Sequence, residues 1–117
     1  MDEKTFKERT KKFGLAVIRL TDSLPKTRSA DIIARQIIRS ATSVGANYRA
    51  ACRAKSTPDM INKLKIVEEE ADEALYWLEL LQETSPSPEI LVLAREGNEL
   101  LAMTVASLKT LRSRKQS

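Results

Sequence analysis

The sequence of 117 residues contains no histidine and a single cysteine, Cys52. Without histidine there is no imidazole for acid–base catalysis, for a Ser-His-Asp or Cys-His pair, or for binding zinc. One cysteine excludes an internal disulfide and a CxxC metal site. We therefore expect a protein that is not an enzyme and that holds no metal or cofactor.

Aromatic residues make up only 4% of the chain, with three glycines and four prolines. This composition is poor for a sheet with many tight turns and favours long helices. No apolar run is long enough to cross a membrane, and the charged N-terminal segment lacks the apolar region of a signal peptide. Hydrophobic residues at 42% are sufficient for a core. The sequence therefore predicts one cytoplasmic domain over residues 1–117.

Three proline-containing breaks divide the chain, at residues 24–27, 56–58 and 84–88. In Thr57-Pro58-Asp59 and Ser87-Pro88-Glu89 a hydroxyl residue precedes proline and an acid, which predicts Thr57 and Ser87 as N-caps. Ser29 or its neighbours form a weaker start. The breaks predict four helices over about 4–24, 30–55, 58–84 and 88–113, followed by a basic C-terminal tail.

Each segment has apolar residues at alternating spacings of three and four. With short connections, this pattern predicts an all-α fold, an antiparallel up-down-up-down four-helix bundle. Helical hairpins exchanged between two chains are the alternative. The predicted core positions are Phe6, Phe13, Val17, Leu20 and Leu24; Ile33, Ile37, Val44, Tyr48 and Ala51; Met60, Leu64, Val67, Ala71, Ala74, Leu78 and Leu81; and Ile90, Ala94, Leu101, Thr104, Val105 and Leu108.

Charge is segregated between the helices. Residues 26–57 carry a net charge of +6 and residues 58–87 a net charge of −6. At 100° per residue, five arginines of the second helix lie within an arc of about 80°, opposite its core positions. We call this set the Arg stripe; its members are Arg28, Arg35, Arg39, Arg49 and Arg53.

Two main interpretations of the Arg stripe remain open, besides a solvated face without a partner. Its members pair with acidic residues of the third helix, in the same chain or a neighbouring one. Alternatively, they contact phosphates of a nucleic acid, because the planar guanidinium suits phosphate well. The predicted nucleic-acid contacts are Arg35, Arg39, Arg49 and Arg53.

The third helix has a second face besides its core positions, and this face contains the only tryptophan. Large aromatic residues anchor protein interfaces, so this face predicts self-association. A broad core face with the tryptophan at its edge is the alternative. The residues of this predicted oligomer interface are Ile66, Glu73, Trp77 and Leu80.

Four segments carry a family resemblance: residues 39–47 (RSATSVGAN), 53–56 (RAKS), 63–73 (KLKIVEEEADE) and 76–81 (YWLELL). With them, most of the chain, about residues 6 to 112, resembles the bacterial four-helix-bundle proteins of the 23S rRNA intervening-sequence family. Many members have Asn-Ile-Ala-Glu-Gly where this chain has residues 47–51, NYRAA. This chain lacks that glutamate and glycine, so any role they have in other members of the family is not expected here.

The resemblance implies a homopentameric ring, in a fold similar to the accessory protein of diversity-generating retroelements, which binds nucleic acid and a reverse transcriptase. Together with the Arg stripe, it leads us to expect a non-enzymatic oligomer that binds nucleic acid, structured RNA in particular, by electrostatic contacts. An oligomeric scaffold or protein-interaction module, in which the Arg stripe pairs with the acidic third helix, is the alternative.

Overall fold

The computed structural model of the chain describes residues 2–116, and the side chains of residues 2–114. It consists of four helices, α1 (Glu3–Asp22), α2 (Arg28–Cys52), α3 (Thr57–Thr84) and α4 (Pro88–Gln116), and the described residues include no strand. The predicted all-α class is confirmed. Within this part of the chain, no helix combines the length and the apolar character that a membrane span requires.

Two helices begin earlier than predicted because other hydroxyl residues cap them. The side chain of Thr27 accepts a hydrogen bond from the backbone N–H of Ala30, so α2 begins at Arg28 rather than near residue 30. Ser56 accepts the backbone N–H of Asp59 at 3.2 Å and takes the N-cap place predicted for Thr57. Proline has no backbone N–H and fits the first turn of a helix. Pro58 is therefore compatible with an N-cap at Ser56 as well as at Thr57.

The fourth helix begins at Pro88, directly after Ser87 as predicted, but Ser87 is not a capping side chain. Its hydroxyl is buried and has no hydrogen-bond partner. At the other end α4 continues to Gln116, so the predicted basic tail after residue 113 begins as helix. The side chains of that tail beyond residue 114 lie outside the described residues.

The helices pack in an antiparallel bundle of 52 × 21 × 20 Å, in which α1 lies beside α2, α2 beside α3 and α3 beside α4. The bundle closes between α1 and α4, which have the sparsest contact of the four pairs. The four helices of one chain surround one core, so no exchange of hairpins is needed to bury their apolar faces.

The core positions predicted for α1, α2 and α3 are buried, except that Leu24 and Met60 are partly exposed. In α4 the prediction is wrong at three positions: Ala94 and Leu101 are only partly buried, and Val105 is 43% exposed. The actual core row of this helix is Ile90, Leu93, Gly97, Leu100, Thr104 and Leu108.

The error in α4 has a physical cause. Its core row passes through Gly97, a residue that an apolar pattern does not count, and Phe13 and Leu75 pack directly over it. The predicted positions Ala94, Leu101 and Val105 form a second apolar row, displaced by one residue or 100° around the helix.

Candidate nucleic-acid interface

All five residues of the Arg stripe lie on the outer face of α2 and are exposed to solvent. Their exposure is consistent with a position opposite the buried core positions of α2, and their contact with a nucleic acid stays a prediction. Their carboxylate partners, however, divide them into two groups.

Arg35 and Arg39, in the first half of α2, have acidic partners within the chain. Arg35 pairs with Asp31 one turn earlier at 2.8 Å. Arg39 contacts Glu70 of α3 at 3.0 Å and also pairs with Glu73. The charge of Glu70 and the hydrogen bond that Arg39 donates to Glu73 raise the pKa of Arg39, so both carboxylates stabilise the charged guanidinium.

Glu73 links Arg39 to the only tryptophan. The Glu73 carboxylate also accepts the indole N–H of Trp77 at 3.2 Å. A predicted nucleic-acid contact and two predicted interface residues therefore form one network across α2 and α3. Arg39 therefore pairs with acidic residues of the third helix, Glu70 and Glu73, within the same chain.

Arg49 and Arg53, in the last half of α2, form no ion pair with any described residue. Both are exposed. Each lines a groove beside α2 that contains further cations, between α1 and α2 for Arg49 and between α2 and α3 for Arg53. Arg28, at the opposite end of α2, likewise forms no ion pair with a described residue. Three arginines of the stripe are thus available to an external anion, and two of them, Arg49 and Arg53, lie together at the end of the helix.

The fold brings further cations beside these arginines that were not predicted from the sequence. Besides Lys7, which pairs with Glu3, they are Lys4, Lys11, Lys55 and Lys63. They come from α1, from the α2–α3 connection and from the start of α3. The only signal in the sequence was the surplus of basic residues in the segments that lead into and out of α2. Their convergence depends on antiparallel packing.

Charge is also polarised along the bundle. The half that contains the start of α1, the end of α2, the start of α3 and the end of α4 has 13 basic and 7 acidic side chains among residues 2–12, 41–70 and 103–114. The opposite half has 6 basic and 9 acidic side chains among residues 13–40 and 71–102. Arg49 and Arg53 therefore lie in the basic half, which attracts polyanions.

The residues predicted as an oligomer interface, Ile66, Glu73, Trp77 and Leu80, are each partly buried on the side of α3. Trp77 and Leu80 pack against the core of their own chain. Tyr76, the neighbour of Trp77, is 53% exposed and meets its ring edge-on at 5.3 Å between centroids. The self-association of this face stays a prediction.

A separate cavity of about 620 Å³ opens at the basic end of the bundle, between all four helices. Glu3, Tyr48 and Cys52 line it together with apolar side chains of α3 and α4 and with the polar residues Ser107, Thr110 and Arg114. Burial raises the pKa of both Tyr48 and Cys52, so neither group ionises at neutral pH. Within the described part of the chain, no three His, Cys, Asp or Glu side chains are grouped as metal ligands would be.

Comparison with known proteins agrees with this architecture. A crystal structure of a Bacteroides thetaiotaomicron protein of unknown function, from the S23 ribosomal protein family, superimposes with a TM-score of 0.84 at 32% sequence identity. The match covers 93% of this chain and 99% of the other. No functionally curated protein matches the sequence. The sequence model of the 23S rRNA-intervening sequence protein family matches residues 3–106, and the chain therefore belongs to that family.

Proposed function

We propose that this protein is a non-enzymatic, cytoplasmic RNA-binding protein that holds structured RNA through phosphate contacts of Arg49 and Arg53. The observation that carries the proposal is that these two exposed arginines have no carboxylate partner among the described residues and lie in the basic half of the bundle. The family name, which refers to 23S rRNA, supports RNA as the partner.

Arg35 and Arg39 are the weaker contacts in this proposal. A phosphate that approaches either residue meets a guanidinium already neutralised by one or two carboxylates. The attraction of the pair for a second anion is correspondingly smaller. We therefore assign most of the electrostatic affinity to the end of α2.

The binding is mainly independent of sequence. Between Arg49 and Arg53 the outer face of α2 presents alanine, and the nearby Tyr48 is buried, so no aromatic ring is available to stack on a base. Phosphate contacts position a nucleic acid, whereas contacts to bases specify its sequence. The outer face of α2 offers phosphate contacts.

The test is binding of a structured RNA at 50 and 200 mM salt to the unmodified protein and to the R49Q/R53Q variant. If each arginine meets one phosphate, the double substitution flattens the slope of log affinity against log salt by up to about 2. The matched control is K26Q/R28Q, which removes the same charge at the other end of the bundle. Absence of binding at 50 mM salt, or binding that does not depend on salt, contradicts the proposal.

We further propose that the chain forms a homo-oligomer, a pentamer by family resemblance, through Ile66, Glu73, Trp77 and Leu80. The partial exposure of these side chains supports this assignment. Light scattering should give a mass well above 13.1 kDa for the unmodified protein, and W77A should give smaller species. A monomeric mass for the unmodified protein contradicts the assembly.

The contacts of Arg39 with Glu70 and Glu73 favour a second candidate function, an oligomeric scaffold without a nucleic-acid partner. If the arginines serve assembly, the R49Q/R53Q variant dissociates in sedimentation experiments, and the unmodified protein binds no RNA. If they serve RNA binding, the variant keeps its oligomeric state and loses affinity for RNA.

A further inference from the structure

Two grooves run along the last half of α2, one on each side. Lys7 lines the groove between α1 and α2 but pairs with Glu3 at 3.2 Å. The other cations of this groove, which form the first set, are Lys4, Lys11 and Arg49. The groove between α2 and α3 contains Arg53, Lys55 and Lys63. Ala46 lines both grooves, so the end of α2 forms a narrow ridge between them. We call these two sets the first and the second cation row.

The six cations of the two rows form no ion pair with any described residue. Each groove also contains one acidic side chain, which its cations outnumber. Glu8 lies 4.0 Å from Lys12. Asp59 accepts the backbone N–H of Lys55 at 3.2 Å. Both rows therefore present a surplus of positive charge to an approaching polyanion.

Lys4 and Lys11 on α1 and Lys63 on α3 flank α2, so at least the width of that helix, about 10–12 Å with its side chains, separates them. Arg49 and Arg53 lie between them, one turn apart at the end of α2. The ridge between the two grooves carries small side chains, Ala46 and Ala50, so a flat surface can approach both rows together. The surface formed by the two cation rows can therefore contact two parallel lines of phosphates.

We propose, resting on the RNA-binding function above, that the two cation rows contact the two strands of an A-form RNA duplex across its minor groove. That groove is wide and shallow, and proteins recognise it by shape and by phosphate and 2′-hydroxyl contacts. The minor groove of B-form DNA, about 6 Å wide, is too narrow for this separation, whereas its major groove, about 12 Å wide and 8.5 Å deep, matches it in width. Duplex DNA is therefore the competing ligand that the experiment includes. A single strand offers only one line of phosphates.

The experiment compares three probes of one sequence with the full chain, over 50 to 200 mM salt: an RNA duplex of about 16 base pairs, one of its single strands, and the corresponding DNA duplex. Six phosphate contacts predict a salt slope of about −5 for the RNA duplex, and three contacts predict about −2 for the single strand. The RNA duplex should bind more tightly than the DNA duplex at every salt concentration.

Variants separate the rows. K4Q/K11Q removes two cations from the first row and K55Q/K63Q removes two from the second, while K26Q/R28Q serves as the control of equal charge. Each row variant should flatten the slope for the RNA duplex by about 2 and reduce the affinity ratio between 50 and 200 mM salt about 12-fold. These side chains are exposed except that of Lys63, which is half-buried. Thermal unfolding checks that each variant folds.

The outcomes distinguish this inference from the proposed function. Equal slopes for duplex and single strand, with loss of binding only in R49Q/R53Q, keep the RNA-binding function and overturn the two-row geometry. Equal affinity for the RNA and DNA duplexes overturns the assignment of A-form RNA. Binding of none of the three probes at 50 mM salt overturns both.

Discussion

Arg39 of α2 and Glu73 of α3 form an ion pair across the interface of the two helices, and the same carboxylate accepts the indole N–H of Trp77. Glu70 adds a second carboxylate, 3.0 Å from the guanidinium. Arg39 is thus tied to the third helix, whereas Arg49, three turns later on the same face, has no such partner among the described residues. The two arginines should respond differently to substitution.

We expect R39Q to change the fluorescence of Trp77 and to leave most of the RNA affinity intact. The substitution removes the cation beside Glu73. It therefore changes the electric field at the indole of Trp77, which donates a hydrogen bond to Glu73. R49Q should do the reverse, with unchanged Trp77 emission and a salt slope flattened by about 1. Emission spectra and RNA titrations of the two variants measure both effects. A larger loss of RNA binding in R39Q than in R49Q contradicts this expectation.

Arg9 fastens α1 to α4, the pair of helices with the smallest contact. Its guanidinium donates to both oxygens of Glu96, at 3.0 and 2.6 Å, and the two side chains are only 28% and 30% exposed. A double-mutant cycle with R9M and E96Q, followed by urea unfolding, should give a coupling free energy of about 1 kcal/mol, because the pair is bidentate.

The exposed pair of Lys12 and Glu8, 4.0 Å apart, is the control for that cycle. Solvent screens such a pair, and its coupling should be close to zero. Equal couplings for the two pairs would show that the contact of Arg9 with Glu96 adds nothing to the closure of the bundle.

Gly14 and Gly97 should respond oppositely to alanine. A Cβ atom at Gly14 would lie 3.6 Å from Thr42, an ordinary contact, so G14A should raise the free energy of unfolding by about 0.5–1 kcal/mol through helix propensity. A Cβ atom at Gly97 would lie 3.0 Å from Leu75 and 3.4 Å from the buried ring of Phe13. G97A should lower the free energy of unfolding by about 1 kcal/mol, since overpacking a core forces side chains to move.

Chemical denaturation of the two glycine variants provides the measurement. A higher free energy of unfolding for G97A would mean that Leu75 and Phe13 can shift to make room for the methyl group without loss of packing energy. A destabilised G14A protein would mean that α1 and α2 are packed more closely than the distance to Thr42 indicates.

Cys52 should react slowly with iodoacetamide at neutral pH. Burial raises its pKa above the ordinary 9.0, and Glu3 acts in the same direction. The alkylation rate should therefore reach half its maximum above pH 9, and E3Q should move that midpoint to lower pH. E8Q is the matched control and should leave it unchanged. A midpoint at or below pH 9 in the unmodified protein contradicts the burial of the thiol.

The same shift has a consequence for stability. Because the thiol is held protonated in the folded chain, the unfolded chain releases its proton at lower pH than the folded chain does. The contribution of Cys52 to stability is therefore complete below pH 9 and is lost as the pH rises through the raised pKa.

The features that depend only on residues close in the sequence were predicted well. The apolar spacing in α1, α2 and α3 identified the buried faces because the period of a helix is fixed by its backbone. The prediction failed in α4 because Gly97 interrupts its core row, and it misplaced the cap of α3 because two adjacent hydroxyl residues, Ser56 and Thr57, both precede Pro58.

For the candidate site, the sequence identified the arginines but not the charges around them. It placed Arg35, Arg39, Arg49 and Arg53 on one face, since residues of one helix keep their angular positions. It had no means of showing that Arg39 meets Glu73, 34 residues away, or that Lys63 comes beside Arg53. Such contacts depend on how two helices align along their lengths.

By itself, the sequence determined the helical class, the antiparallel order of the helices and the outward row of arginines, because spacing, caps and short connections are properties of neighbouring residues. Only the tertiary structure decided which arginines are neutralised and which are free. That outcome depends on the position of each carboxylate on the adjacent helix, and a Coulomb interaction is set by distance in space rather than by distance along the chain.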